Sequence, residues 1–219
     1  MKRSGIWITI TMLVLMTLIG EVCAQVQTPI SEDAVACVIR GISHIEKGEY
    51  DLSISKFTEA IGINSQYAAA YSNRGVAYRH EGLYDQAISD YNKAIGINPK
   101  FTEAYYNRGI TYWYKGECDQ AISDFTKAIE TNPGYADAYY NRGRAKFEKG
   151  QYEGAITDYT KAIEINPKFA EAYYGRGYTF LSEHDYHKAL EDIVKARDLG
   201  YNVSSKILTD LRRALESEI

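Results

Sequence analysis

The 219-residue chain lacks the groupings of residues on which enzymes and nucleic-acid-binding proteins depend. Lys and Arg number 25 against 29 Asp and Glu, giving a formal net charge of −4, and no basic stripe occurs. This balance excludes the electrostatic footprint of nucleic-acid binding. No nucleophile motif, phosphate-binding loop or paired metal ligands occur either. We therefore expect no catalytic residue, metal, cofactor or small-molecule substrate, and no nucleic-acid partner.

Phenylalanine is also scarce, with 6 residues against 20 tyrosines. Tyrosine contributes apolar area together with a hydroxyl that remains usable near water. This composition favours a structure that is mostly interface.

Long apolar runs are limited to one, Ile6–Ile19, which is short for a membrane-spanning helix. Two basic residues precede it, and Val22-Cys23-Ala24 after it matches a small-residue cleavage site. This order is typical of a secretory signal peptide at residues 1–24. We therefore expect export to the periplasm or the medium, with residues 25–33 as an N-terminal linker.

Two alternatives to a cleaved signal peptide stay open. One is a lipoprotein acylated at Cys23, which the bulky Val22 and the acidic Glu21 disfavour. The other is retention of the apolar segment as an N-terminal anchor, because signal and anchor differ by only a few residues.

The rest of the chain repeats itself every 34 residues. The same residue types stand at matching places in successive copies, as in Gly48, Gly82, Gly116 and Gly150, in Tyr71, Tyr105, Tyr139 and Tyr173, and in Ala60, Ala94, Ala128, Ala162 and Ala196. A fixed period of this size indicates stacked supersecondary units. We divide the region into five units at residues 34–67, 68–101, 102–135, 136–169 and 170–203.

The pattern inside a unit predicts two helices. In the third unit, Tyr105, Gly109 and Tyr112 lie at i, i+4 and i+7, which is one helix face. Gly116 then fits a left-handed helix end, and a second apolar stripe follows. Asn132-Pro133 ends the second helix, because the residue before a proline is pushed out of the helical region.

Unit by unit, the chain resembles the tetratricopeptide repeat. The third unit has the family's residue types at repeat positions 4, 8, 11, 20, 24, 27 and 32, namely Tyr105, Gly109, Tyr112, Ala121, Phe125, Ala128 and Pro133. The first unit departs from the pattern with Cys37, His44, Ser53 and Ser65. The resemblance implies an all-α right-handed solenoid of helix-turn-helix repeats. The amphipathic tail at residues 204–219 is then predicted to be a C-terminal capping helix.

Two sets of polar residues in the repeats are predicted to have structural roles. Arginine at position 7 and aspartate at position 23 recur together, which predicts ion pairs between the two helices of a unit: Arg74–Asp90, Arg108–Asp124, Arg142–Asp158 and Arg176–Asp192. Cys37 and Cys118 lie two repeats apart, too far for a disulfide, whose Cα atoms must be within about 7 Å. We interpret both cysteines as packing residues, and His184 and His187 as solvated turn residues.

The resemblance also implies that the first helix of each unit lines a concave groove. Asparagine recurs there at position 6, as Asn73, Asn107 and Asn141. Its planar amide offers a donor and an acceptor that match an extended peptide backbone. The alternative is that these amides brace neighbouring loops.

The other predicted groove residues are mainly apolar and aromatic. They are Tyr106, Ile110, Trp113, Tyr140, Arg144, Phe147, Tyr174 and Tyr178. Binding hot spots are enriched in Tyr, Trp and Arg. The carboxylate clamp of some relatives is excluded, because Glu103 and Asp137 stand where it needs bases.

The sequence therefore predicts a non-catalytic scaffold that binds a peptide segment of a partner protein in its groove. The alternative is a self-associating module, a homo-oligomer. We expect the irregular first unit to favour it, with Val38, Ile42 and Ile45 open to solvent.

Overall fold

The computed structural model describes residues 31–216, which form eleven α-helices and no β-strand. The helices are α1 (Glu32–Glu46), α2 (Tyr50–Ile63), α3 (Ala68–His80), α4 (Tyr84–Ile97), α5 (Thr102–Tyr114), α6 (Cys118–Thr131), α7 (Ala136–Glu148), α8 (Tyr152–Ile165), α9 (Ala170–Ser182), α10 (Tyr186–Asp198) and α11 (Ser205–Glu216). The predicted signal peptide and most of the linker lie outside the described residues. None of these eleven helices is both long and apolar enough to cross a membrane.

Consecutive helices pack in pairs, from α1 with α2 to α9 with α10, and each pair packs against the next. The first helices of neighbouring pairs also contact one another, whereas within residues 31–216 the second helices do not. The first helices therefore lie on the inner side of the curve. The fold is the predicted all-α right-handed solenoid.

Glycine ends the first helix of four pairs, as the sequence predicts. Gly48, Gly82, Gly116 and Gly150 have φ between +71° and +76°, which is the left-handed region. In the fifth pair His184 adopts φ +62° at the same place. A different device begins each new pair, because the side chains of Asn64, Asn98, Asn132 and Asn166 accept a hydrogen bond from the amide two residues ahead.

In the first four pairs, the two helices are held close by a glycine that faces an aromatic ring. A Cβ atom added to Gly109 would lie 2.8 Å from the Phe125 ring, and its nearest neighbours are Phe125 and Asp124. The structure shows that Phe125, which is 1% exposed, fills the space that Gly109 leaves.

The four predicted ion pairs are confirmed, and each is bidentate. Arg108 donates from Nε and Nη2 to the two carboxylate oxygens of Asp124, both at 2.7 Å. Its Nη1 donates to Asn92 in the preceding pair of helices. Arg74, Arg142 and Arg176 repeat this arrangement with a threonine in place of Asn92. Each arginine therefore fastens its own two helices to the pair before it, a cross-unit contact that the sequence analysis did not predict.

The two ends of the solenoid differ. At the C-terminus, α11 buries Leu208 and Leu211 against Ala189 and Ile193 of α10, so it caps the last pair. At the N-terminus, the expectation that Val38 and Ile45 are open is wrong. Val38 is buried in a core with Phe57, and Ile45 packs against that core, because α3 covers this side of α1.

The remaining structural predictions concern small polar groups. Cys37 and Cys118 are both free thiols, as predicted. His184 and His187 are exposed, and the His184 ring lies 3.0 Å from the Tyr186 hydroxyl. Within residues 31–216, no group of three His, Cys, Asp or Glu side chains is arranged to hold a metal ion.

Candidate functional site

The predicted groove residues all lie on first helices. Asn73 is on α3, Tyr106, Asn107, Ile110 and Trp113 are on α5, Tyr140, Asn141, Arg144 and Phe147 are on α7, and Tyr174 and Tyr178 are on α9. Because the first helices form the inner side of the solenoid, these residues share its concave face. We call this face the groove.

Two adjoining clefts open in the groove, and Arg144 lines both. The arginine cleft, about 210 Å³, is lined by Arg79, Tyr106, Ile110, Trp113, Tyr114, Phe125, Asn141 and Arg144. The tyrosine cleft, about 230 Å³, is lined by Tyr140, Arg144, Phe147, Glu148, Tyr159, Tyr174, Gly175, Tyr178 and Tyr201. The structure thus brings together every predicted groove residue except Asn73 and Asn107, which line neither cleft.

A column of tyrosines at repeat position 5 forms the floor of the clefts. Tyr106 packs with its ring centroid 4.7 Å from that of Tyr135 and 5.9 Å from that of Phe125. Tyr140 makes the matching contacts with Phe169 and Tyr159. These rings are half-buried and fixed in place from two sides, so little side-chain entropy is left to lose on binding.

Burial also sets the protonation state of the Tyr106 hydroxyl in this floor. It raises the pKa of Tyr106 to about 12, with Asp137 adding to the rise and Arg79 and Arg144 opposing it. The Tyr106 hydroxyl is therefore neutral at physiological pH and accepts a hydrogen bond from Asn141 Nδ2 at 3.0 Å.

The asparagines at position 6 behave in two ways. Asn141 braces the groove, because Nδ2 donates to Tyr106 and to the Asp137 carbonyl, while Oδ1 accepts from Arg144 at 3.5 Å. The side chains of Asn73 and Asn107 make no hydrogen bond to any part of the chain in the described range 31–216. Bracing therefore applies to Asn141, and the contact of this column with a peptide backbone stays a prediction.

The fifth unit has Gly175 where the second, third and fourth units have asparagine. A Cβ atom there would lie 2.9 Å from the Tyr159 ring, so the ring occupies the place of a side chain. The departure of the fifth unit from the asparagine column therefore has a packing cause.

Arg144 is held by aromatic faces. Its guanidinium carbon lies 4.2 Å from the Trp113 ring centroid and 5.7 Å from that of Tyr140. Such cation–π contacts contribute about 0.5–2 kcal/mol. They also connect α5 to α7 across the groove.

Arg79 was not among the predicted groove residues, and it lines the arginine cleft from the last turn of α3. Position 12, where Arg79 stands, is also the position of Trp113 and Phe147 in the next two units. That shared position was the available signal. Phe125 and Tyr159 were missed because their positions predict core residues, yet their rings reach the cleft floor.

The repeats identify the chain as a member of the tetratricopeptide repeat family. Models described as tetratricopeptide repeat match residues 68–101, 102–135 and 125–157, and a model described as TPR repeat matches 143–182. Together the matches run continuously from residue 68 to residue 182. No functionally curated protein matches the chain in sequence.

Solved structures of similar shape include other tetratricopeptide repeat proteins. A crystal structure of MamA is 28% identical, covers 73% of this chain and 93% of its own, and has a TM-score of 0.67. YrrB, described as a TPR protein with an unusual peptide-binding site, is 22% identical, covers 85% and 92%, and has a TM-score of 0.64. Pseudomonas aeruginosa PilF is 16% identical, covers 85% and 86%, and has a TM-score of 0.77. Family and fold support a protein–protein interaction scaffold.

Proposed function

We propose that the protein is a non-catalytic scaffold that binds an extended peptide segment of a partner protein in its groove. The observation that carries this proposal is the pair of aromatic clefts, whose floor is already packed in the unbound chain. Beside them, Asn107 presents an amide that nothing in residues 31–216 engages. This combination offers apolar anchoring points and backbone hydrogen bonds on one surface.

Preorganisation explains why such a surface binds tightly for its size. Ordering each flexible interface side chain costs about 0.5–1.5 kcal/mol, and rings that are already packed avoid much of that cost. Tyr178 is 42% exposed at the edge of the tyrosine cleft, although its ring contacts those of Phe147 and Tyr174. The peptide-binding site named for YrrB lends support from a protein of the same fold.

The test is affinity capture with the full chain and with the double variant Asn107→Ala, Trp113→Ala. Truncating a hot-spot residue costs about 2 kcal/mol or more, so we expect specifically bound partner proteins to fall more than about tenfold. Quantitative mass spectrometry of the captured proteins measures this.

A double variant on the outer helices, Leu52→Ala with Lys93→Ala, is the matched control, because both residues are exposed and outside the groove. It should recover the partners as the wild type does. Equal recovery by the groove variant would refute binding in the groove.

Self-association is a second candidate, favoured by one observation. Ile39 and Ile42 on α1 are 62% and 38% exposed, although the other predicted residues of that surface are covered. Light scattering during size-exclusion chromatography separates the candidates: a monomer at all concentrations favours the groove, and a concentration-dependent dimer that Ile39→Lys abolishes favours self-association.

We also propose that the protein is exported, on the strength of its N-terminal sequence pattern. Cleavage after Ala24 is the expected result when the full chain is expressed with its native N-terminus. Intact-mass measurement of the purified product checks it. A product that retains residues 1–24 in the membrane fraction would favour the anchor instead.

A further inference from the structure

Six arginines within residues 31–216 are partly buried, and they fall into two groups that differ in their partners. Arg74, Arg108, Arg142 and Arg176 each bind an aspartate of their own unit at hydrogen-bonding distance. Arg79 and Arg144 are also partly buried, yet neither forms an ion pair within residues 31–216. Within residues 31–216, the two partly buried arginines without a counterion are therefore the two that line the arginine cleft.

These two arginines line one cleft from different helices. Arg79 reaches the cleft from α3 and Arg144 from α7, with Tyr106 and Trp113 of α5 between them. The guanidinium carbon of Arg144 lies 4.2 Å from the Trp113 ring centroid, and Arg79 lines the same cleft. The cleft lining contains no acidic residue.

Two hydrogen-bond donors at this place are buried without a partner. They are Nε of Arg79 and Nε1 of Trp113, neither of which finds an acceptor in the described part of the chain. A buried donor left unpaired costs about 1–3 kcal/mol, and more when the group is charged. A carboxylate suits such donors, since it accepts several hydrogen bonds and pairs with guanidinium groups in a bidentate manner.

We propose that the arginine cleft is a specificity pocket for the carboxylate of an aspartate or glutamate side chain within the bound peptide. This pocket rests on the proposed peptide binding and specifies which peptides the groove selects. The acid lies in the interior of the segment, because the groove continues past the cleft in both directions, to Asn73 on one side and to Tyr174 and Tyr178 on the other. Residues that follow the acid would then enter or leave through the tyrosine cleft, where aromatic and apolar side chains fit.

The first experiment selects peptides from a displayed random library on the immobilised full chain. The selected peptides are resynthesised with a fluorescent label, with free and with amidated C-termini, and their binding is measured by anisotropy. We expect a shared interior Asp or Glu, whose change to Asn or Gln weakens binding to the wild type by at least about tenfold. Amidation of the C-terminus should change little.

The second experiment applies the same peptides to Arg79→Gln, Arg144→Gln. This variant should bind the acidic peptides at least about tenfold more weakly, and should no longer distinguish them from their Asn or Gln versions. The matched control Arg40→Gln, Arg212→Gln makes the same change in net charge at two exposed positions and should bind as the wild type does. Circular dichroism establishes that each variant is folded, and Arg79→Lys, Arg144→Lys replaces the Gln variant if that one is not.

Three results would overturn the proposal. They are selected peptides without a shared acid, equal binding of the acidic and amide versions by the wild type, and dependence on a free C-terminal carboxylate. If the selected peptides bind the arginine variant normally but do not bind Asn107→Ala, Trp113→Ala, the carboxylate pocket is refuted. Peptide binding in the groove is then still supported. Selection of no peptide at all would sink both.

Discussion

Replacing Asp124 by alanine is expected to lower the free energy of unfolding by about 3–5 kcal/mol. The variant leaves the Arg108 guanidinium without its carboxylate, in a place where that side chain is 18% exposed and Asp124 is 6% exposed. Burial raises the pKa of Asp124 even though Arg108 opposes the rise, so removal from water is the largest influence on this carboxyl group. Urea unfolding followed by circular dichroism measures the loss.

Two controls separate a buried charge from a lost attraction. Lys127→Ala breaks the exposed Lys127–Glu130 pair on the same helix and should cost less than about 1 kcal/mol. The double variant Arg108→Met, Asp124→Leu removes both charges, and it should recover most of the stability that Asp124→Ala loses. If the double variant is as unstable as the single one, the unpaired charge is not the cause.

Replacing Phe125 by alanine is expected to cost about 3–5 kcal/mol as well, for a different reason. Its ring lies against Gly109, which has no side chain that could move into the space. The neighbouring helices are tied together through Arg108, so the cavity cannot close by a simple shift of α5. The same urea titration measures the effect, and Leu52→Ala at an exposed position should change stability by less than about 0.5 kcal/mol.

A second substitution distinguishes the cavity from a general weakening of the helix. Gly109→Ala in the wild type places a methyl group 2.8 Å from the Phe125 ring. The same change in the Phe125→Ala background meets no ring and adds helix propensity worth about 1 kcal/mol. We expect Gly109→Ala to be more favourable in the Phe125→Ala background than in the wild type; equal effects would contradict the packing described here.

The sequence was sufficient to predict the fold because every unit repeats the same local pattern of residues. The glycine turns, the Asn-Pro stops and the Arg–Asp pairs follow from contacts within one unit, and a period of 34 residues repeats each of them. What escaped prediction lies between units. The second hydrogen bond of Arg108, to Asn92, depends on how the pairs stack, and so does the burial of Val38 under α3.

The candidate site could likewise be predicted only in part. Repeat positions placed the groove residues on the inner helices, yet position 6 alone could not separate Asn141, which braces Tyr106, from Asn107, whose side chain has no partner within residues 31–216. That difference follows from position 5 of the preceding unit, which is Tyr106 for Asn141 and the shorter Ser72 for Asn107. Arg79 shares repeat position 12 with Trp113 and Phe147, but only the structure shows that it lines a cleft without an acidic partner in residues 31–216.

The cross-unit bond of each position-7 arginine has a consequence for how this protein can change in size. Arg108 binds Asn92 and Arg142 binds Thr126, and these acceptors occupy the same place in consecutive units. A gene that lost residues 102–135 would set Arg142 against Asn92, an acceptor that already serves this purpose. Duplication or deletion of a whole unit therefore preserves these hydrogen bonds between units. The length of the binding surface then changes by one unit at a time. Insertion of a single residue within a helix breaks the hydrogen bonds.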